Sequence, residues 1–259
     1  VESTTVSRTE TTQADFASGT LTNVVATSAG NLELAKTTQL VQLFYDDITT
    51  TIDATKWTVS GNASADGTYM VVGGATYAYD SVTSVHSFTL PTGDEVLTIE
   101  FRGQIPPTAL GYVWFGGENI LSFKHKWEDQ TKTYVVVSGE SEVALDAKYT
   151  GVYTFKIEIT ATQAKFYIDG VLKATLSHSL TGSIKLNGRS YDPYTYLKLD
   201  WVRVTKTSTS YVTSGSRLSL VYDISPVGIA ASSIISWNAT TPASTSLTVE
   251  TSLDGGTTW

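Results

Sequence analysis

Cysteine is missing altogether from this chain of 259 residues. No disulfide can staple the fold, and no thiolate can hold a metal or attack a substrate, so stability must come from a buried core. A basic excess is missing too. The 17 Lys and Arg stand against 25 Asp and Glu, a net charge of −8, which argues against a nucleic-acid binder and its basic stripe. No run of about eighteen apolar residues occurs, so no helical membrane span is expected. No signal peptide is visible, and the first residue is Val1, which reads as a processed or cloned end. Histidine is scarce. His86, His125 and His178 stand in no nucleophile-elbow context, so a Ser-His-Asp triad has no support. With 41% hydrophobic and 16% charged residues the chain nevertheless belongs among globular proteins.

What is there is strand pattern. In Thr154–Ile159 the apolar Phe155, Ile157 and Ile159 alternate with Thr154, Lys156 and Glu158, which marks a strand with one buried face. Lys165–Ile168 begins a second run, and Asp169-Gly170 follows at once. An Asp-Gly pair between two such runs predicts a two-residue hairpin, because both central positions need positive φ. Val171–Leu176 is the expected return strand. Leu197, Leu199 and Trp201 alternate with Lys198, Asp200 and Val202, and Trp57 and Trp201 are expected to fill the core. Val96–Arg102 is a further clear strand, with Leu97, Ile99 and Phe101 on one face, and Tyr134–Val137 reads as a short buried run. Turns at Ser60-Gly61-Asn62, Asp66-Gly67, Gly73-Gly74 and Gly116-Gly117 have the spacing of an all-β sandwich.

The runs FKIEIT, KFYIDGVLKATL and YLKLDWVRV, with the opening YDDITTTIDATKWTV, resemble concanavalin A-like jelly rolls, the superfamily of laminin-G-like modules, legume-type lectins and family-16 glucanases. The resemblance implies a jelly roll over residues 42–205. It does not fix an activity, since one sandwich hosts many functions. Retaining glycosidases on this fold carry E-x-D-x-E on one strand, holding two carboxylates about 5 Å apart. No such motif occurs here; the nearest candidates are Glu100, and Glu140 with Glu142 in SGESE.

The outer segments are read as a polar arm over residues 1–14 and a second, discontinuous β-rich domain over 15–41 and 206–259, into which the jelly roll is inserted. Strands are expected at Leu21–Val25, Leu32–Leu34, Ile234–Trp237 and Ser246–Thr251; a helix over Asn31–Leu43 is the weaker option. SLDGGTTW at Ser252–Trp259 fits the Asp-box turn of sialidase-like β-structures, in which Asp and hydroxyl groups bond the turn backbone and the Trp packs beneath. A strand ending there would have an unpaired edge, so the natural chain is expected to continue, or a neighbouring chain to pair with it. The segments TLTNVVAT, GNLELA, GSRLSLVYDIS, ISWNATTP and VETSLDGGTTW also resemble a module of tail and structural proteins of bacterial viruses. That resemblance implies a virion or cell-surface location, other tail subunits as partners and a homo-oligomer.

Sugar sites need flat aromatic faces and fixed polar groups. The candidates are Arg102, Trp114, His125, Trp127, Arg189, Tyr191, Asp192 and Tyr194, with Glu100 and Asn187 beside them, and the loop Asn187–Tyr196 gathers several. Trp114 in YVWF also reads as core. The jelly-roll resemblance implies a structural Ca2+ at Asp200, in the D-W-V-R-V motif, completed by Asp46 or Asp47 and carbonyls near Gly73 and Gly74. The alternative is that Asp200 pairs with Lys198 or Arg203. The expectation is therefore an all-β, non-enzymatic adhesin or receptor-binding module that binds a glycan. The alternatives are a purely structural tail decoration and a divergent glycan hydrolase.

Overall fold

The structure is a computed structural model that describes residues 5–48, 50–74, 79–108, 112–138, 142–191, 194–228, 234–241, 243–254 and 256–258. It divides into two compact units, residues 1–37 with 211–259, and residues 38–210.

In the first unit the expected polar arm is tied down. Thr12 caps a short helix, α1 (Gln13–Ala17): its hydroxyl accepts the Asp15 N–H while the Asp15 carboxylate accepts the Thr12 N–H at 3.0 Å. Ahead of it, Glu10 binds Arg217 at 2.8 Å and Arg8 at 3.5 Å and accepts the Tyr222 hydroxyl. Three short strands follow, β1 (Thr20–Thr22), β2 (Val24–Ala26) and β3 (Leu32–Leu34), with β2 and β3 antiparallel. The helix option over Asn31–Leu43 gives way to β3 and to β4 (Lys36–Asp47).

The second unit is the sandwich. In chain order, β4 is followed by β5 (Trp57–Ser60), β6 (Ala63–Ala65), β7 (Met70–Val72), β8 (Asp80–Thr89), β9 (Val96–Gln104), β10 (Tyr112–Gly117) and β11 (Leu121–Lys126). Then come β12 (Asp129–Val137), β13 (Val143–Ala144), β14 (Tyr153–Ile159), β15 (Gln163–Ile168), β16 (Val171–Ser177), β17 (Ser183–Ser190) and β18 (Leu197–Tyr211). One sheet has seven strands, ordered β13-β12-β11-β10-β17-β8-β5. The other has eight, ordered β16-β15-β14-β9-β18-β7-β6 with β4 against β18.

A last strand of the first unit, β19 (Ser216–Leu218), pairs with β1. The expected strands Ile234–Trp237 and Ser246–Thr251 join no ladder among the described residues, and Ile234, Trp237 and Leu247 stand 91%, 56% and 52% exposed. Alternation alone makes no strand where no neighbour takes up the backbone hydrogen bonds. The Asp-box turn does form: the Asp254 carboxylate accepts the Thr257 and Thr258 N–H groups at 3.0 and 2.9 Å and the Ser252 and Thr258 hydroxyls at 2.6 Å each. These bonds hold its pKa well below the ordinary range. Trp259 lies outside the described residues.

Alternation puts one face of each sheet into a shared core. Phe101 on β9 is its hub. Its ring stacks on Phe155 of β14 at 4.9 Å and meets Phe115 of β10 edge-on at 4.5 Å and Phe123 of β11 at 6.2 Å, so rings from both sheets interlock. Trp57 packs at the end of this cluster, edge-on to Phe44 at 5.5 Å, and its indole N–H donates to Asp46 at 2.6 Å.

Trp201 departs from expectation. The register of β18 against β9 slips between Leu199 and Trp201, leaving Asp200 as an extra residue, a β-bulge. After it, Val202 and Val204 point inward, and Trp201 is only half-buried, with Arg203 5.8 Å from its ring.

The Asp169-Gly170 turn is as the sequence predicts: Ile168 pairs with Val171, and the two residues have φ of 46° and 79°. A side chain at 170 would have to adopt the left-handed conformation, at about 1–2 kcal/mol. Gly170→Val is expected to lower the unfolding free energy by about that amount, seen as a lower denaturant midpoint at unchanged slope. An unshifted midpoint would show that the turn does not set the pairing of β15 with β16.

Candidate functional site

The outward face of the seven-stranded sheet gathers aromatic and cationic side chains. On β10, Val113 and Phe115 enter the core, so Tyr112, Trp114 and Gly116 point away from it. On β11, Leu121, Phe123 and His125 take the inner side and Ser122, Lys124 and Lys126 the outer. On β12, Val135 and Val137 are inside and Tyr134 and Val136 outside. The ladder then aligns the outward residues in a row: Tyr134 opposite Lys124, Lys124 opposite Trp114, Trp114 opposite Arg189 of β17.

This row is buried without belonging to the core. Trp114, Lys124, Tyr134 and Val136 are 5%, 7%, 7% and 8% exposed, yet none is part of the core cluster. Their neighbours on the face cover them. The Lys124 and Lys126 ammonium groups sit 4.0 Å above the rings of Tyr112 and Tyr134. Glu142, just before β13, accepts from both lysines, at 3.0 Å from Lys126. Burial works to raise the Glu142 pKa, but the two lysines outweigh it and hold the carboxyl below its ordinary value. Lys124 needs that partner, because a buried ammonium without one is costly.

At the other end the Trp114 indole N–H donates to Asn187 Oδ1 at 3.1 Å, and Asn187 Nδ2 donates to Thr83 Oγ1 at 2.9 Å. The Arg189 guanidinium lies 3.5 Å from the ring centre of Tyr79 and 5.3 Å from that of Trp114, and Tyr79 packs on Tyr191 at 4.6 Å. Two buried polar atoms here have no hydrogen-bond partner, Arg189 Nε and Ser122 Oγ.

The structure sorts the candidates from sequence. Trp114, Arg189 and Tyr191 come together, with Asn187. His125 turns inward from the row: it is 2% exposed, its Nε2 is 2.6 Å from Thr133 Oγ1, and burial pushes its pKa down to about 4. It is a core histidine, placed there by the same alternation that turns Lys124 outward. Trp127 is 53% exposed at the turn between β11 and β12. Arg102 belongs to the other sheet, where it binds Asp200 at 2.6 Å. Tyr194 is 79% exposed, and Asp192 lies outside the described residues. Sequence reasoning missed Tyr79, Tyr112, Lys124, Tyr134 and Ser122 as parts of this face. The signal was present in LSFKHK, where Ser122, Lys124 and Lys126 alternate with Leu121, Phe123 and His125.

The carboxylates considered for metal are engaged. Asp200 takes Arg102, rather than Lys198 or Arg203, and Asp46 takes Lys56 Nζ at 2.7 Å and the Trp57 indole. Asp47 is exposed. Among the described residues no three His, Asp or Glu side chains gather as a metal site.

No acid–base carboxylate pair is assembled on the Trp114 face among the described residues; Glu142 lies there, and Glu128 and Asp129 lie at the hairpin tip beside it. Glu100 and Glu158 instead line a groove of about 370 Å³ on the eight-stranded sheet, where Glu100 binds Arg203 and Glu158 binds Lys156 at 2.6 Å.

No family model matches the chain, and no curated protein matches it. Solved structures do share the sandwich. An endo-β-1,3-glucanase from Pyrococcus furiosus is 12% identical, over 66% of this chain and 96% of that one, with a TM-score of 0.49. An endo-1,3-β-glucanase from Streptomyces sioyaensis is 14% identical over 64% and 96%, at 0.46. The Crh5 transglycosylase is 14% identical over 62% and 82%, at 0.47. The strand order by itself makes the unit an all-β sandwich of two sheets, and at these values the likeness carries no argument beyond that. The expectation of a chain that is not an enzyme is corrected here: a sandwich shared with glucanases and a transglycosylase gives no ground for excluding catalysis. The likeness of the flanks to tail proteins finds no support in these comparisons.

The hairpin that carries Lys126 and Tyr134 should show a pH signature. The Thr131 hydroxyl and then the Tyr134 hydroxyl hold Asp129 down, to about 2 from an ordinary 3.8, and Asp129 in turn pushes Tyr134 up to about 12 from 10.0. The Asp129 contribution is present above pH 3.8 and lost as pH falls towards 2. The Tyr134 contribution is present below pH 10 and lost as pH rises towards 12. Tyr134→Phe is expected to shrink both the alkaline and the acid loss, leaving the alkaline share of other raised tyrosines such as Tyr167, followed as denaturant midpoint against pH. Unchanged profiles would rule the link out.

Proposed function

We propose that the sandwich recognises a carbohydrate on the outer face of its seven-stranded sheet. The observation that carries this reading is the Trp114–Arg189–Tyr79–Tyr191 assembly. An indole lies outside the core, its N–H already committed to Asn187, beneath an arginine and beside two tyrosines whose tilted rings pack together. Aromatic walls that meet the apolar side of a pyranose, with fixed polar groups between them for its hydroxyls, are the chemistry a sugar site needs. Tyr79 is 40% exposed, so it offers ring surface to a ligand, while Trp114 forms the floor. A cell-surface or virion location, as the flanks' resemblance implies, suits this reading and forms part of the proposal, as does a structural Ca2+ through Asp47 and Asp200, which would have to displace Arg102 from Asp200.

A second reading, a divergent glycan hydrolase, is favoured by Glu142, a carboxylate held ionised against this same face by Lys124 and Lys126. Release of reducing ends from a bound glycan, abolished by Glu142→Gln, would support it.

The test is a glycan array followed by calorimetry on each hit. Tyr79→Ala and Tyr191→Ala should each weaken the best hit at least tenfold while the thermal midpoint stays close to wild type. Variants that bind as the parent does, or an array with no hit, would remove the reading.

A further inference from the structure

The chain has five arginines, and four are paired with a carboxylate. Arg8 and Arg217 bind Glu10, Arg102 binds Asp200, and Arg203 binds Glu100. Arg189 alone has no carboxylate within ion-pair distance among the described residues. In a chain with eight more acidic than basic groups, an unpaired arginine is a departure. Arg189 is also not a solvated surface residue. It is half-buried, its guanidinium lies near the rings of both Tyr79 and Trp114, and its Nε is buried without an acceptor.

A guanidinium presents donors in a rigid fork that matches a planar or tetrahedral oxyanion. Here the cost of ordering that fork is already met by the two rings. A neutral sugar hydroxyl offers no such acceptor pair and leaves the positive charge uncompensated. Along the same row, Lys124 and Lys126 have their charges met within the protein by Glu142, which leaves Arg189 as the cation of the row without a carboxylate among the described residues. Ser122 Oγ, on the outward side of β11 and fully buried, is a further hydrogen-bonding group without a partner. The other acidic groups facing this region are already engaged: Glu128 accepts the Tyr112 hydroxyl at 2.8 Å, and Asp129 is held by Tyr134 and Thr131.

We infer that the glycan taken by this face is acidic, and that Arg189 receives its carboxylate or sulfate ester. The inference rests on the glycan reading and narrows it from carbohydrate in general to anionic carbohydrate. Arg189 acts as a specificity-determining residue, with Tyr79 and Trp114 orienting it.

The experiment measures binding of the full chain to matched oligosaccharides by calorimetry. Oligogalacturonate and oligoglucuronate are each compared with the carboxyl-reduced, neutral form of the same linkage, and a sulfated neutral oligosaccharide forms a third arm. The expected result is binding of an acidic member at least tenfold tighter than its neutral counterpart. Arg189→Lys and Arg189→Gln should lose most of that difference while the thermal midpoint is kept. Preference for the uronate or for the sulfated arm identifies the anionic group. Equal or tighter binding of the neutral forms would overturn the inference and leave the glycan reading standing. An acidic preference that survives in both variants would overturn the assignment to Arg189. No binding of any arm would remove both readings.

Discussion

The interlocked rings around Phe101 are what the rest of this structure depends on. Phe101 and Phe155 come from one sheet, Phe115 and Phe123 from the other, and the four meet in a continuous set of stacked and edge-on contacts. A phenylalanine deleted from such a position costs about 3–5 kcal/mol, a large share of the roughly 5–15 kcal/mol that holds a domain together. With no cysteine to cross-link the sheets, the sandwich has no covalent substitute. The site inherits its order from this core, because Trp114 precedes Phe115 and Lys124 follows Phe123. Locking the phenylalanines inward fixes the tryptophan and the lysine outward, and the ladder brings them opposite one another. A slip of one residue in β10 or β11 would exchange the two sets.

The face built in this way combines two electrostatic solutions. At one end, Lys124 and Lys126 are satisfied within the protein by Glu142 and by tyrosine rings. At the other, Arg189 has its geometry fixed by Tyr79 and Trp114 and lacks a counter-charge among the described residues. A group held in place but left without its complement is the arrangement of a binding site, since ordering it in advance removes a cost that association would otherwise bear. The opposite sheet handles its charges differently. Arg102, Arg203, Glu100, Glu158 and Asp200 all have internal partners.

Much of the fold was legible in the chain, for reasons that can be named. The alternation in Thr154–Ile159 and Val96–Arg102 and the Asp169-Gly170 turn report local rules with strong periodicity, and these elements stand where expected. Trp201 was misread because a bulge at Asp200 shifts the phase of β18, and nothing in LKLDWVRV announces the extra residue. The strand-like segment 234–237 and the alternating segment 246–251 pair with no strand among the described residues, which a single-strand pattern cannot reveal. At the site, composition pointed to Trp114, Arg189 and Tyr191 but scattered the remainder. Arg102 is on the other sheet and His125 faces inward, because membership of a face depends on which strands pair. Lys124 went unnoticed as a buried lysine for the same reason: its burial comes from Tyr112 and Tyr134, which only the ladder brings near.

The most direct measurement is an NMR titration of the labelled chain with the tightest-binding oligosaccharide, following the tryptophan indole N–H and arginine Nε–H signals in one spectrum. Saturable shifts are expected at Trp114 and Arg189, with the core signal of Trp57 unmoved. Saturable glycan binding that leaves Trp114 and Arg189 in place and perturbs residues of the eight-stranded sheet instead would contradict that expectation.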